Sequence, residues 1–435
     1  MVFDEFTLEA ECQNDGLLRF LNKLKSIEHQ AKSSLESRGW KYVKTAERTV
    51  VFTIGEVCFS RRCYKKGNQY RYPLDEALKL EKYTRYSQGF LMQLADLATR
   101  MPYRKVVETI YLLKGITITK DTVLKSVKLA GQLYEAKQDC ERLKVEEASE
   151  KRTVNHLYIE GDGILVKTPY AETAHTELAH FVIHEGCGPE YGSRQKLIEK
   201  YEILSANNRD AREQVLDYVF KRYNINHNTL VVTNSDLGKG YSANIFKELV
   251  AAFKCKHIHY WDKYHLYQRI RDTYRNLNPV LSQQLFESLK QHDKQHTKTI
   301  LQQTLAALED EKKIEEFEQF SRTLLNYYQY TKERPIDLKR GVGIMESQQC
   351  KIASRMKHRG MYWSKKGAET MAKLIIDIAQ CGIKELFLGE WQQLYHQLRT
   401  FGAGAHYLRK QDGKRDYTKR ASFPNPYHKY TGKVK

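Results

Sequence analysis

Two aspartates flanked by glycines are the residues in this sequence best suited to chemistry. Asp162 lies in YIEGDG, where Gly161 and Gly163 interrupt a β-rich run, and Asp236 directly follows the run TLVVTNS. If their strands are neighbours, the two carboxylates repel each other unless cations lie between them. Mg²⁺ favours carboxylate oxygens, and two such ions about 3.5–4 Å apart can act on both oxygens exchanged at a phosphodiester. The pattern predicts a metal-dependent phosphoryl-transfer site, with glycines that let a phosphate approach.

A third acidic ligand is expected beside these two aspartates. Glu346 opens a predicted helix, where the helix dipole favours a carboxylate in any case. Glu160 shares the strand face of Asp162 by the period of two and is the alternative third ligand. An ordinary tight turn at Asp162-Gly163 is the competing interpretation, because Asp-Gly is a strong turn signal.

The segment HIHYWDKYH holds a further set of possible ligands. His257 and His259 share one strand face, and Asp262 and His265 follow at the start of a helix. Zinc would accept this set, whereas a structural or DNA-positioning role is the interpretation we favour. Eight scattered cysteines complete no zinc pattern, so reduced, structural thiols are expected.

The elements that must position these residues are predicted for residues 151–400. Three consecutive strands are followed by helix, strand, helix and strand, the order of a ribonuclease-H-like α/β domain. Strand signals then cease, so residues 262–340 are predicted to be an all-α insertion placed before Glu346. A basic tail, residues 401–435, is expected to be extended when free.

Residues 1–150 are predicted to form a mostly helical DNA-binding region with a small β-hairpin. An apolar helical period ends near Gly39, and Gly55-Glu56 separates two β-rich runs. Residues 103–134 have the outline of a helix-turn-helix, for which an ordinary helical hairpin is the alternative; the turn contains Gly115 and the second helix is capped by Thr119. Three lysines on or beside that second helix are candidate DNA contacts: Lys120, Lys125 and Lys128.

The charge of the chain favours a polyanionic partner. Its 435 residues contain 72 Lys and Arg against 53 Asp and Glu, a formal net charge of +19. DNA is the partner that this excess indicates first. No signal peptide, membrane span or lipidation motif is evident, which predicts a cytoplasmic, nucleoid-associated protein. A second set of candidate DNA contacts follows Glu346: Arg355, Lys357, Arg359, Lys365 and Lys366.

Four motifs resemble those of a known family. YIEGDG, TNSDLGKGY, WDKYHL and MESQQCKIASRMKHRGMYWSKKGAETMAKL are similar to motifs of the ISLre-two family of bacterial insertion-sequence transposases. These are DDE enzymes related in plan to Mutator-like and hAT transposases. The likeness runs from the predicted helix-turn-helix to about residue 380, and RGMYWSKKGAETMAKL is its most specific part. The first motif departs from the EADED-like form of many members: EGDG keeps the aspartate in place and lacks the neighbouring acids.

The resemblance implies a function and a catalytic triad. Asp162, Asp236 and Glu346 would hold Mg²⁺, which Mn²⁺ can replace, with Glu160, Asp262 and His265 as possible accessory residues. The implied activity is binding, cleavage and strand transfer at the element's terminal inverted repeats, by a homo-oligomer that also binds target DNA. A non-cutting DNA-binding regulator or domesticated relative, and a ribonuclease-H-like nuclease without strand transfer, are the alternatives.

Overall fold

The structure is a computed structural model in which the chain divides into two units. One unit holds residues 1–147 and 377–435, and the other holds residues 148–376. The structure describes residues 4–143, 151–169, 172–188, 196–275, 277, 279–335, 338, 341–357 and 359–398. The predicted basic tail lies outside these residues. Within them, none of the helices combines the length and apolar character that a membrane crossing requires.

The amino-terminal elements are mostly helical, with one small sheet. In chain order they are α1 Glu5–Ser37, β1 Lys41–Phe52, β2 Gly55–Lys66, β3 Gln69–Arg71, α2 Pro73–Ala77, α3 Gln88–Arg100, α4 Tyr103–Lys114 and α5 Lys120–Leu143. The sheet has three antiparallel strands where a hairpin was expected. Its first turn also differs from the prediction: Phe52 pairs with Gly55, so the loop is Thr53-Ile54, and Gly55 begins β2.

The connection between α4 and α5 has the predicted turn chemistry. Gly115 ends α4 in the left-handed region at φ 62°, where a glycine is favoured because it lacks a Cβ. The Oγ1 of Thr119 accepts a hydrogen bond from the Thr122 amide at 3.3 Å, as a cap of α5 would. Lys120, Lys125 and Lys128 are all exposed.

The second unit is built on a five-stranded sheet. Its elements are β4 His156–Lys167, β5 His175–His184, β6 Tyr201–Ser205, α6 Asn208–Arg222, β7 Leu230–Ser235, α7 Ala243–Ala251 and β8 Lys256–Trp261. The strand order is β6-β5-β4-β7-β8, so β4 is central. It pairs antiparallel with β5 and parallel with β7, which confirms that the strands of the two aspartates are neighbours.

The alternation of side chains along β4 divides the sheet into an apolar face and a mixed face. Leu157 and Ile159 enter a core with residues of α6 and α7, such as Val215 and Phe246. Glu160 and the partly buried Asp162 lie on the opposite face.

The chain after β8 is helical, as predicted. The insertion contains α8 Lys263–Tyr274, α9 Pro279–Lys290, α10 Lys294–Ala306, α11 Glu311–Asn326 and a 3₁₀ turn at Tyr328–Thr331. These elements share a core that includes Trp261, the last residue of β8. The ring of Tyr330 lies 5.1 Å from that of His259 on the same strand, so the insertion is fastened to the β8 edge of the sheet.

Three helices follow the insertion, α12 Met345–Met356, α13 Lys365–Cys381 and α14 Ile383–Leu388, and residues 391–398 are also helical. Glu346 lies in the first turn of α12, as predicted. Residues from Asp377 onward belong to the first unit, whereas the sequence assigned residues up to 400 to the catalytic domain. The reason is packing: Asp377 forms a buried ion pair with Lys137 at 3.1 Å, and Gln88 donates to the Phe387 carbonyl at 3.1 Å.

The two glycines beside Asp162 are explained by the neighbouring strand. A Cβ at Gly161 would lie 2.5 Å from the ring of Phe181, and one at Gly163 would lie 2.6 Å from the Glu177 carboxylate. The predicted role of these glycines, access for a phosphate, is therefore not required to explain them.

These contacts predict unequal costs for two alanine substitutions. Phe181 is fully buried with its ring 6.1 Å from that of Phe246, whereas Glu177 is exposed and can move away. Gly161→Ala should lower the free energy of unfolding by about 1–3 kcal/mol, and Gly163→Ala by less than about 1 kcal/mol. Urea denaturation of both variants measures the difference. Equal losses would contradict this account of the glycines.

Candidate active site

The register of β4 and β7 brings the two aspartates together. Glu160 pairs with Asn234 across the parallel strands, so Asp162 and Asp236 stand in corresponding positions two residues further on. Both line a small open cleft, which with the adjoining solvent has an empty volume of about 330 Å³. The remaining lining residues are Gly161, Asn234, Ser235, Asp262, Tyr264, His265, Gly343, Met345 and Glu346. The cleft therefore contains all three residues of the predicted triad.

The pKa of Asp162 is raised by its surroundings, which include a second carboxylate. Burial and then the negative charge of Asp236 raise the pKa of Asp162 to about 6. Two hydrogen bonds to the Asp162 carboxylate lower its pKa in turn, one from the Gly163 amide at 2.7 Å and one from the Gln349 side-chain amide at 3.0 Å. The positive form of His265 also lowers this pKa, which places that imidazole near the carboxylate.

Asp236 is presented by a strained turn after β7. Its Oδ1 accepts a hydrogen bond from the Gly238 amide at 2.8 Å. The intervening Leu237 has φ 61°, a left-handed conformation that costs a side-chain-bearing residue free energy. Leu237 packs against the core of the helical insertion. The same turn thus directs the Leu237 side chain toward the core of the insertion and the Asp236 side chain into the cleft.

Glu160 is almost fully buried and binds backbone amides. Its two oxygens accept hydrogen bonds from the Gly343 amide at 2.9 and 3.0 Å, and Oε2 accepts another from the Ile344 amide at 3.1 Å. The Asn234 side chain donates to the same oxygen at 3.2 Å. Burial raises the pKa of Glu160 to about 8, against these hydrogen bonds, which favour the ionised form.

The predicted histidine and aspartate set is divided by the structure. Asp262 and His265 line the cleft, where Asp262 caps α8 by accepting from the His265 amide at 3.2 Å. His257 and His259 instead both contact the Thr233 hydroxyl, at 2.8 and 2.7 Å. Burial lowers their pKa values to about 4 and about 3, so both are neutral at neutral pH. The four residues do not form the zinc set that the sequence allowed.

Polar contacts hold α12 against the sheet beyond the cleft. Lys351 of α12 and Lys200 both form ion pairs with the buried carboxylate of Glu202. Against the effect of burial, the hydrogen bond from His180 and the charge of Lys351 lower the pKa of Glu202 to about 2. Lys200 also donates to Gln348 of α12 at 2.9 Å. The roles of Lys200, Glu202 and Lys351 could not be predicted from the sequence, because no motif marks a contact between distant segments.

One predicted DNA contact is corrected by burial. Arg355 is 2% exposed, with its guanidinium 5.2 Å from the centroid of the Trp363 ring, so it is a packing residue. It holds α12 to the segment 361–363, whose Trp363 amide donates to the Lys167 carbonyl at 3.0 Å. The other four residues of that set are exposed: Lys357, Arg359, Lys365 and Lys366.

No group of three His, Cys, Asp or Glu side chains in the described residues stands ready to hold an ion. All eight cysteines are free thiols, as expected. The cleft thus brings together three predicted acids without presenting them as a finished three-ligand site.

Comparison with known proteins identifies the family of this mixed α/β chain. The model of UPF0236, an uncharacterised protein family, matches residues 9–393. The chain therefore belongs to the UPF0236 family.

Its relatives include a UPF0236 protein in the vanSb 3′ region of Streptococcus gallolyticus, 29% identical over 374 residues, which cover 85% of this chain and 80% of that one. A UPF0236 protein of Caldanaerobacter subterraneus subsp. tengcongensis is 23% identical over 346 residues, covering 77% and 68% of the two chains. The name of this second relative joins eleven locus numbers. The comparison with solved structures gives one chain of a simian T-cell lymphotropic virus intasome in complex with PP2A regulatory subunit B56 gamma. That chain is 11% identical, with 58% of this chain and 77% of that chain covered, and its TM-score of 0.17 is too low to indicate a shared fold.

The raised pKa of Asp162 predicts how a neutralising substitution affects stability without metal. Because the folded pKa of about 6 exceeds the ordinary 3.8, ionisation is disfavoured by folding, and stability is lost as pH rises through this interval. In EDTA, Asp162→Asn should raise the free energy of unfolding by on the order of 1–3 kcal/mol near pH 8, and by roughly half as much near pH 5. Urea denaturation at the two pH values measures the gain.

The charge of Asp236 contributes to the same shift. Asp236→Asn should therefore lower the pKa of Asp162, followed by carboxyl NMR titration of the protein in EDTA. A gain in stability from Asp162→Asn that is equal at both pH values would contradict the repulsion between these carboxylates.

Proposed function

We propose that this chain is a DDE transposase that cuts and joins DNA at the ends of its own insertion sequence. The observation that carries the proposal is the cleft shared by Asp162, Asp236 and Glu346. The resemblance of the motifs to the ISLre-two transposases assigns these three residues as the catalytic triad.

The proposal includes a ribonuclease-H-like fold for the second unit. It is supported by an order of three antiparallel strands followed by two parallel ones, with the first strand in the centre of the sheet. The position of the helical insertion between the last strand and the glutamate-bearing helix also supports it.

The multi-locus name of one relative supports the same reading. A name that joins eleven loci is expected for a gene that an insertion sequence has carried to many places in one genome. Neither a regulator that does not cut DNA nor a nuclease without strand transfer requires such a distribution.

The donor set fits a hard divalent cation. Asp162 and Asp236 offer carboxylate oxygens, and the charge of Asp236 helps to keep the pKa of Asp162 raised although His265 lowers it. We propose that these two residues and Glu346 hold Mg²⁺, or Mn²⁺ in its place, when DNA is bound. The ions would supply Lewis-acid stabilisation of the charge that develops on the phosphate oxygens.

The protein's own residues would position the reacting groups. Gln349 and the Gly163 amide orient the Asp162 carboxylate, and the Gly238 amide orients that of Asp236. Tyr264 and His265 are exposed at the cleft, where they can contact the sugar-phosphate backbone of a cleaved strand. No covalent protein intermediate is needed, because water and then the released 3′-hydroxyl act as nucleophiles.

DNA binding would be shared by exposed basic residues of both units. In the first unit the helix-turn-helix offers Lys120, Lys125 and Lys128 to the terminal repeats. In the second, Lys357, Arg359, Lys365 and Lys366 follow the proposed catalytic glutamate. We propose element ends and target DNA as the partners, and a homo-oligomer on DNA in the bacterial cytoplasm.

Metal-dependent cleavage tests the proposal directly. Duplex DNA carrying the sequences that flank the chain's own gene should be cleaved with Mg²⁺ or Mn²⁺ and spared in EDTA. Asp162→Asn, Asp236→Asn and Glu346→Gln should each lower the cleavage rate by at least about 1,000-fold with unchanged DNA affinity. Glu213→Gln, at an exposed carboxylate on α6, is the matched control and should cleave normally.

The outcome separates the alternatives. DNA binding without cleavage under any metal would support a regulator, and cleavage without joined products would support a nuclease. Normal cleavage by Asp236→Asn would refute the triad.

The salt dependence of binding tests the helix-turn-helix. Each phosphate contact releases counterions, so removing three contacts should reduce the slope of log affinity against log salt by about 2–3. Full-length protein with Lys120, Lys125 and Lys128 changed to glutamine should show this loss in fluorescence anisotropy.

The control removes equal charge elsewhere. Changing Lys221, Lys247 and Lys256 to glutamine should leave the slope nearly unchanged, since these exposed lysines lie on α6, α7 and β8. An equal fall in slope for both triple variants would contradict specific contact by α5.

A further inference from the structure

The loop before α12 is held to the sheet through its backbone. Residues 341–344 contain two glycines with positive φ, Gly341 at 90° and Gly343 at 85°. Gly343 is exposed, yet its amide and that of Ile344 donate to the buried Glu160 carboxylate on the central strand. A buried carboxylate that accepts two consecutive loop amides fixes both the place and the direction of the chain there.

A second residue binds the same loop from its carbonyl side. Arg334 donates to the Val342 carbonyl at 3.0 Å and to the Asn234 side-chain oxygen at 3.3 Å. The Asn234 nitrogen in turn donates to Glu160 and, at 3.0 Å, to Asp262. Asn234 therefore links the groups that bind the loop to the aspartate that caps α8.

From this network we infer that Glu160 is a positioning residue for Glu346. Its carboxylate fastens loop 341–344 to β4 and so determines where the first turn of α12, with Glu346, stands beside the cleft. Glu346 comes two residues after Ile344, so a movement of that amide moves it directly. The effect on catalysis rests on the proposed function, whereas the effect on the loop does not.

The geometry separates this role from that of a third metal ligand. Glu160 is 1% exposed and does not line the cleft, while Glu346 is exposed and does. Both Glu160 oxygens already accept amide hydrogen bonds, and a cation would compete with them for the carboxylate. Glu160 therefore acts through Glu346.

The carboxyl-terminal part of α12 has separate attachments. Lys351 pairs with Glu202, and Ile352 and Met356 are buried. Loss of the Glu160 contacts should therefore release the first turn of α12 while the rest of the helix stays in place.

Hydrogen exchange of the full-length chain tests the attachment of loop 341–344 to β4 by Glu160 without any assay of activity. In wild type the amides of Gly343 and Ile344 should exchange at least about 100-fold more slowly than free loop amides. At about pH 9, where the Glu160 carboxyl is ionised, exchange over residues 341–346 should rise at least about tenfold in Glu160→Gln, which replaces one acceptor oxygen with a donor. Residues 351–356 should be unchanged, as should both segments in Glu213→Gln.

Cleavage then tests the consequence for the site. The Mg²⁺ concentration for half-maximal cleavage should rise at least about tenfold in Glu160→Gln, with unchanged affinity for DNA. An increase in exchange without this shift would overturn the link to Glu346. If wild type does not cleave, the proposed function fails, while the exchange data still decide the fastening.

Two results would overturn the inference that Glu160 attaches loop 341–344 to β4. One is fast exchange of the two amides in wild type, which needs no variant to be folded. The other is unchanged exchange over 341–346 in folded Glu160→Gln. Should that variant not fold, Glu160→Asp serves instead: its carboxylate is one methylene shorter and draws back from the Gly343 and Ile344 amides, so exchange should rise at least about threefold over the same segment, and no rise overturns the inference.

Discussion

The parallel pairing of β4 with β7 is the constraint on which the rest of the second unit depends. Its register sets Glu160 opposite Asn234 and leaves Asp162 and Asp236 at corresponding positions beyond them. Residues far apart in the chain thereby meet at one edge of the sheet. A shift of one residue would move each β4 side chain to the other face, so the apolar core below Ile159 protects the register of the acids above it.

The two faces of the sheet are bound by different forces. Helices α6 and α7 cover one face through apolar contacts, whereas α12 is held to the other by polar contacts in addition to its buried Ile352 and Met356. Buried polar groups that are fully paired favour one arrangement of a helix over its neighbours. The pairing of Lys351 with Glu202 and the amide contacts of Glu160 each tolerate little movement.

The sequence predicted elements and neighbours better than it predicted contacts. The periods of two and of 3.6 residues gave the five strands, the insertion and the helix that carries Glu346, because burial imposes these periods. The sequence also placed Glu160 on the face of Asp162, but only as a possible ligand. Its amide partners could not be predicted, since any residue can supply a backbone amide.

The same limit explains the errors. Arg355 looks like a DNA contact in a basic run, and only the fold shows that Trp363 covers it. For the glycines beside Asp162 the sequence indicated only access for a ligand, and the fold adds a second explanation, since Phe181 and Glu177 lie across from them. In each case the deciding neighbour comes from a segment that local pattern cannot connect.

Two carboxylates on one strand therefore come to differ in role through their partners alone. Glu160 is buried among amide donors of this chain, so its interactions are complete within the fold. Asp162 faces a second carboxylate instead, and the charge of Asp236 adds to the effect of burial in raising the pKa of Asp162. The strained φ of Leu237, next to Asp236, adds a further local cost in free energy. Such costs persist where a site is shaped for a partner that is absent from the free protein. We therefore propose Asp162 as the acid that binds a cation and Glu160 as the acid that positions the loop before α12, because a cation would offset the repulsion at Asp162 and would compete with the existing hydrogen bonds at Glu160.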